Sequence, residues 1–374
     1  MVLRKNRDSE VEPSTIVLNY AGDANNVFFN PDARDNCTEP FIFLKDHCRK
    51  LGYSVEAADR QSLQDCAWLL FWDSSSLTRG AGLKGFLRRL RFGVNGGTRN
   101  WLNEAQHAGL MERVVLFLCE PPSVCPENWE TSFYRQFSTV FSWNDDVVDG
   151  IRVHKFFYPI PLHVPIIEPV VFSMKKLLVN VSTNKFSGYP NELYSARREA
   201  IRYFEKYKPD NFDLYGVGWD FPGVGKGGEM LTLHLASLLS IPYTSYRGTV
   251  KHKWDILPKY KFALCYENVS DQPGYITEKI FDCMRADCVP IYWGAPNVTD
   301  YVDPAAFIDR RKFSSNQELE AYLCGITERD YQRFREAIAD YLISEKFKAF
   351  LPPAFVENIV HVLDLNCTKR GQRN

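Results

Sequence analysis

Residues 261–294 read KFALCYENVSDQPGYITEKIFDCMRADCVPIYWG. KFALCYEN is a short apolar run ending in the polar pair Glu267 and Asn268, the pattern of a strand buried on both faces. SDQPG then punctuates the chain. Helical spacing resumes at Ile280, Phe281 and Met284, and CVPIYWG is a second apolar strand. Strand, loop, helix and strand in one short span predict a parallel βαβ unit. Asn268, Tyr275, Glu278 and Lys279 fall at the strand's end, in the loop or in the first helical turn, where open α/β sheets bind ligands.

The same alternation extends outward. STIVLNY, AWLLFW and RVVLFLCE precede this unit, as do KLLVNVS and FDLYG. Between them lie helical patterns, such as Phe41, Leu44, Cys48 and Leu51 ending at Gly52, and TRNWLNEAQHAG closing on Gly109. The order breaks in YPIPLHVPIIEP, between Phe156 and Pro169, where repeated proline removes backbone donors and predicts an extended linker. The expectation is an α/β protein of two Rossmann-like, doubly wound domains facing a cleft: residues 1–160, residues 161–345, and a C-terminal helical segment with a loose tail over 346–374. Beyond Asp309, Tyr331, Phe334, Ile338 and Leu342 repeat at helical spacing and are assigned to packing.

Composition narrows the function. A chain of 374 residues, 45% hydrophobic and 24% charged, with 26 Phe, 19 Tyr and 8 Trp, has ample core for two domains. A net charge of −1 gives no general pull toward nucleic acid. The one basic run, LKGFLRRLRF, reads as a solvated helix face before it reads as a peripheral membrane contact. No run reaches the roughly 20 apolar residues of a transmembrane helix. The ten cysteines lack zinc spacing and are expected to be reduced and structural. Asn36, Asn180, Asn268, Asn297 and Asn366 begin glycosylation sequons, read as chance because a glycan at Asn268 or Asn297 would obstruct the cleft. His154, His163, His234 and His252 share no spacing. GVGWDFPGVGKGGEM is not a P-loop, since Asp220 stands where the first glycine belongs.

The first helical turn suits a nucleotide diphosphate. Free amides and the positive dipole end favour an anion, and Lys279 adds a charge. Glu278 would repel phosphate but can accept hydrogen bonds from two ribose hydroxyls. Tyr275 can pack on a base or sugar, and Asn268 offers a donor and an acceptor. Taken singly, each of these residues is unremarkable at a helix start.

Together they resemble the α1,3-fucosyltransferases of glycosyltransferase family 10, whose pattern appears here as YKFALCYEN, GYITEKIFD and VPIYWGAPNV. The likeness extends upstream through NELYSARREAIRYFEKY and FDLYG, covering residues 176–310 at least. It implies a two-domain fold of the GT-B type. It also implies a diphosphate-binding arginine, matched by Arg197 with Arg198 as the adjacent alternative, because a guanidinium grips phosphate at two points. In RVVLFLCEPPS it matches Glu120 to the proposed general base, at the carboxyl end of a strand. Asp73 in LLFWDSSS is the rival acid, and Asp145 and Asp146 are read as turn caps.

The resemblance implies inverting transfer of L-fucose from GDP-β-L-fucose to a hydroxyl, O3 of GlcNAc or glucose, on an oligosaccharide or glycoconjugate acceptor. No obligatory cofactor or metal is implied, with Mn²⁺ at most an aid. The alternatives are a sister glycosyltransferase using another nucleotide sugar and a silent sugar- or nucleotide-binding protein. A cytoplasmic, bacterial-type enzyme is the expected setting, with the Golgi lumen the alternative for a truncated secretory chain.

Overall fold

The computed structural model describes residues 14–20, 27–58, 63, 66–74, 78–79, 99–220 and 242–366. The basic run at 83–92, the glycine-rich stretch past Asp220, His234 and the tail from 367 lie outside the described residues.

Two parallel sheets carry the molecule, as the alternation predicts. The first contains β1 (Thr15–Tyr20), β2 (Ser54–Ala57), β3 (Cys66–Trp72), β4 (Val114–Leu118), β5 (Thr139–Ser142) and β6 (Val153–Lys155), in the order β2-β1-β3-β4-β5-β6. In register, Leu18 pairs with Leu70, Leu70 with Val115 and Phe117 with Phe141. Successive residues face opposite cores. Leu18, Leu70 and Phe117 turn to one face, and Val17, Leu69 and Leu116 to the other. Burial on both faces is why these strands read as continuous apolar runs.

Helix α1 (Glu39–Leu51) closes on Gly52 at φ 89°, the left-handed cap its sequence predicts. Helix α2 (Trp101–His107) begins at Asn100, whose side chain accepts the Asn103 amide. After β6 the proline-rich segment runs without helix or strand to 171.

The second sheet contains β7 (Lys176–Val181), β8 (Phe212–Tyr215), β9 (Tyr260–Tyr266), β10 (Val289–Trp293) and β11 (Ile308–Asp309), ordered β8-β7-β9-β10-β11. Strand order reverses between β7 and β9, which opens a crevice at their carboxyl ends. Helices α3 (Tyr194–Tyr207), α4 (Glu278–Arg285), α5 (Asn316–Gly325) and α6 (Glu328–Leu342) belong to this half, with Phe204, Ile280, Leu319 and Ile338 in its core. The last helix, α7 (Pro352–Val362), crosses back: Phe355 packs edge-on to Phe41 and Trp72 in the first core.

The halves also meet through Asp145. Lys155 Nζ at 2.6 Å, Tyr301 hydroxyl at 2.7 Å and Asn297 Nδ2 at 2.8 Å all donate to its carboxylate. The turn-cap reading of Asp145 is thereby corrected, since the capping oxygen is Asn144 Oδ1, which accepts the Asp146 amide at 2.9 Å. Two of Asp145's partners, Asn297 and Tyr301, lie far along the chain and leave no local signal.

Candidate functional site

A cavity of about 250 Å³ lies at the carboxyl ends of β7 and β9, and residues of the first half complete its wall. Glu120, Arg197, Asn268, Tyr275, Glu278 and Lys279 all line it. Arg198 does not. Its guanidinium instead donates to the Lys185 carbonyl at 2.6 Å and lies 4.1 Å over the Phe186 ring.

The start of α4 is organised by Glu267, which the sequence pattern shows only as the polar end of a strand. Its side chain is fully buried and accepts from the Thr277 amide and hydroxyl at 2.9 Å and from Lys279 Nζ at 2.7 Å. Thr277 and Lys279 therefore share a buried counter-ion, and Lys279 does not bring an uncompensated charge to the cavity. Glu278 stands beside Lys253, which donates to Asp282 at 2.6 Å and lies 3.7 Å from Glu278. Burial works against the charge on Glu278, yet Lys279 and Lys253 outweigh it and hold the carboxyl down at about 2. A carboxylate ionised at every ordinary pH can accept two hydroxyl donors.

Arg197 is buried on α3 and donates through Nη2 to the Tyr266 and Glu267 carbonyls at 2.5 and 3.1 Å. Burial depresses its affinity for the proton. Tyr275 lines the cavity and also serves the junction of the halves. Only 3% exposed, it packs 4.6 Å from Trp143 across the two halves and accepts Asn268 Nδ2 at 3.2 Å. Asn180 and Asn268 are buried, which leaves no room for a glycan on either in this fold.

Two glycines in the quoted stretch are fixed by contact. A Cβ on Gly294 would lie 2.4 Å from the Tyr292 hydroxyl and 2.5 Å from Glu267 Cγ. Gly274 sits at φ +82°, and a Cβ there would stand 2.3 Å from the Trp143 carbonyl of the first half.

Glu120 enters from the loop after β4. Among the described residues its carboxylate makes no hydrogen bond or ion pair. Burial raises its proton affinity, Lys185 and then Lys279 oppose that rise, and Glu278 and Glu267 add to it. Asp73, the rival acid, lies behind it. Its Oδ1 accepts the Cys119 and Glu120 amides at 2.7 and 2.9 Å and Asn128 Nδ2 at 2.6 Å, fixing the backbone that presents Glu120. Burial first, with the charge of Glu120 adding, lifts the Asp73 carboxyl to about 6. Asp73 does not line the cavity. Among the described residues no three His, Cys, Asp or Glu side chains gather as a metal site, and no helix is long and apolar enough to cross a membrane.

This arrangement has known counterparts. Residues 242–350 match the family model for glycosyltransferase family 10 (fucosyltransferase), C-terminal part. The α-(1,3)-fucosyltransferase FucT of Helicobacter pylori is 40% identical over 74 residues, 20% of this chain and 15% of that protein. The α-(1,4)-fucosyltransferase of Arabidopsis thaliana is 50% identical over 64 residues, 17% of this chain and 16% of the relative. The GDP-fucose protein O-fucosyltransferase 3 of Xenopus laevis is 40% identical over 85 residues, 22% of this chain and 18% of its own length. The chain thus matches under a fifth of the length of each of these relatives.

Among solved structures, an α1,3-fucosyltransferase with GDP superposes with a TM-score of 0.51 at 14% identity, covering 97% of this chain and 94% of that one. The Anabaena protein HepE, with UDP and glucose, gives 0.53 at 10% identity over 94% and 99%. At such identities the likeness is one of fold, the GT-B arrangement of two facing α/β halves. Residues 242–350 are the part of the chain that is similar to the C-terminal part of glycosyltransferase family 10, the fucosyltransferases.

Proposed function

We propose that the protein is an inverting fucosyltransferase, moving L-fucose from GDP-β-L-fucose to a hydroxyl of an oligosaccharide or glycoconjugate acceptor. One observation carries this reading: a carboxylate from the first half and cationic side chains from the second line the same cavity. The family match supports the reaction class, and the likeness to the GDP-fucose protein O-fucosyltransferase 3 of Xenopus laevis supports the donor. In this reading Glu278 receives the ribose hydroxyls, and Arg197 and Lys279 meet the diphosphate. Glu120 takes the proton of the acceptor hydroxyl as that oxygen forms its bond to the anomeric carbon. The opposite bond, to the phosphate oxygen, breaks through an oxocarbenium-like transition state, and GDP leaves with the electron pair. Arg197 and Lys279 stabilise the charge that develops there.

Transfer from GDP-fucose to a glycan array tests the reading, with Glu120→Gln as the diagnostic variant. It should lower turnover by about 100 to 10,000 fold while GDP affinity is kept. Undiminished transfer by Glu120→Gln would remove the base assignment. Turnover with a UDP-sugar and none with GDP-fucose would move the protein to a sister activity, and GDP binding without transfer or hydrolysis would make it a binding protein.

A further inference from the structure

The charged groups around the cavity are mostly already matched. Lys279 is held by Glu267 at 2.7 Å, Lys253 by Asp282 at 2.6 Å, and Arg34 by Asp35 at 3.1 Å. Arg197 is occupied by two carbonyls. Two charged side chains remain without a hydrogen bond or ion pair among the described residues: Glu120, from the first half, and Lys185, from the loop after β7 in the second. They are of opposite sign, both partly buried, and they line the same cavity.

The Lys185 loop is held tightly on both sides. Just before it, the Asn184 amide donates to the Val217 carbonyl at 2.9 Å, and Asn184 Nδ2 donates to the Gly218 carbonyl at 3.0 Å. Arg198 holds the Lys185 carbonyl itself. Just after it, Ser187 Oγ donates to the Ser123 carbonyl at 3.0 Å, which fastens this loop to the loop that carries Glu120. A flexible lysine is thus delivered from a fixed backbone to a fixed neighbour.

We propose that Lys185 is a positioning residue for Glu120: its ammonium supplies the counter-charge that keeps the Glu120 carboxylate ionised and aimed into the cavity between acceptor cycles. The inference rests on Glu120 being the base. Burial raises the proton affinity of Glu120, and of the opposing influences Lys185 is the largest, ahead of Lys279. The other groups facing Glu120 are acids, Asp73 behind it and Glu267 and Glu278 across the cavity, together with the Cys119 thiol and the Tyr194 and Tyr275 hydroxyls. Burial, Glu278 and Glu267 favour a protonated Glu120, the thiol and hydroxyls are neutral where a carboxyl titrates, and without Lys185 only Lys279 opposes that trend. Reciprocally, burial lowers the proton affinity of Lys185, and Glu120 is the first influence that raises it.

The test is the pH dependence of kcat/KM for the acceptor at saturating GDP-fucose, measured for wild type, Lys185→Met and Lys185→Arg beside GDP affinity by calorimetry. Lys185→Met should move the acid limb upward by about one pH unit, roughly a tenfold loss on that limb that fades at higher pH. Lys185→Arg should return the limb toward wild type, and GDP affinity should stay within about twofold in both. A weakened GDP affinity with an unmoved limb would make Lys185 a phosphate ligand and overturn the proposal. An unmoved limb with unchanged affinity would overturn it too. Failure of the underlying reading appears separately, as full transfer by Glu120→Gln with Lys185 intact.

Discussion

At the scale of single residues, the cavity depends on a charge pair that serves two ends. Glu267 has no solvent contact, and Lys279 is the one cation within ion-pair distance of it among the described residues. Removing one partner of a buried pair costs about 3–5 kcal/mol because the other is left uncompensated. Lys279 keeps a quarter of its side chain exposed, so a loss of about 2–3 kcal/mol is expected for Lys279→Met. Adding Glu267→Gln should recover most of that stability, since the amide still offers its oxygen to Thr277. GDP affinity should stay low in both variants, because the cation is absent from both. Urea unfolding with GDP titration separates the two effects. Recovery of affinity in the double variant would show that Lys279 acts only through Glu267.

At the scale of elements, the quoted stretch is a strand and a helix whose junction leaves no space for side chains at two positions. Gly274→Ala would force a Cβ toward the Trp143 carbonyl from a backbone at φ +82°, and Gly294→Ala would force one toward Glu267. Each should cost about 1–3 kcal/mol and lower GDP affinity, whereas Gly325→Ala, with nothing within 4 Å of its Cβ, should be neutral or slightly stabilising. Thermal unfolding of the three variants decides this, and a harmless Gly294→Ala would refute the contact argument. Much of this architecture was legible in the sequence. Parallel strands buried on both faces announce themselves as apolar runs, and Gly52 and Gly109 marked helix ends. Proximity within one βαβ unit also made Asn268, Tyr275, Glu278 and Lys279 readable as a group. What escaped were long-range partnerships. Glu267 reads as a strand terminus and Asp145 as a turn residue, since their partners lie far along the chain or carry no periodic signal. Lys185 stood in a loop without a motif, and only the pairing of every other cation around the cavity brings it into view.

At the scale of the whole molecule, the residues proposed to hold the donor and the proposed base come from different halves, so in that reading the junction between the halves sets the reaction distance. Arg197, Glu278 and Lys279 come from the second half and Glu120 from the first. Asp145 joins the halves through Asn297 and Tyr301 on one side and Lys155 on the other, aided by Asn144 Nδ2 donating to Gln272 at 2.9 Å and by α7 packing on the first core. Burial tends to raise the Asp145 carboxyl, but Lys155, Asn297 and Tyr301 bring it below its ordinary 3.8. A depressed acid stabilises the fold above that value and loses its contribution as pH falls through the lowered one, so this junction is intact at neutral pH. Asp145→Ala should therefore loosen the alignment of the halves without touching the nucleotide contacts. Because a misplacement of about 1 Å can cost on the order of 100-fold in rate, turnover should fall at least tenfold while GDP affinity stays within about twofold. Small-angle scattering should show a broader distribution of separations between the halves, narrowed when donor and acceptor are both bound. If GDP affinity falls in proportion to turnover, Asp145 acts on the second half alone. If neither changes, the return of α7 and the Trp143–Tyr275 contact suffice to hold the two halves in register.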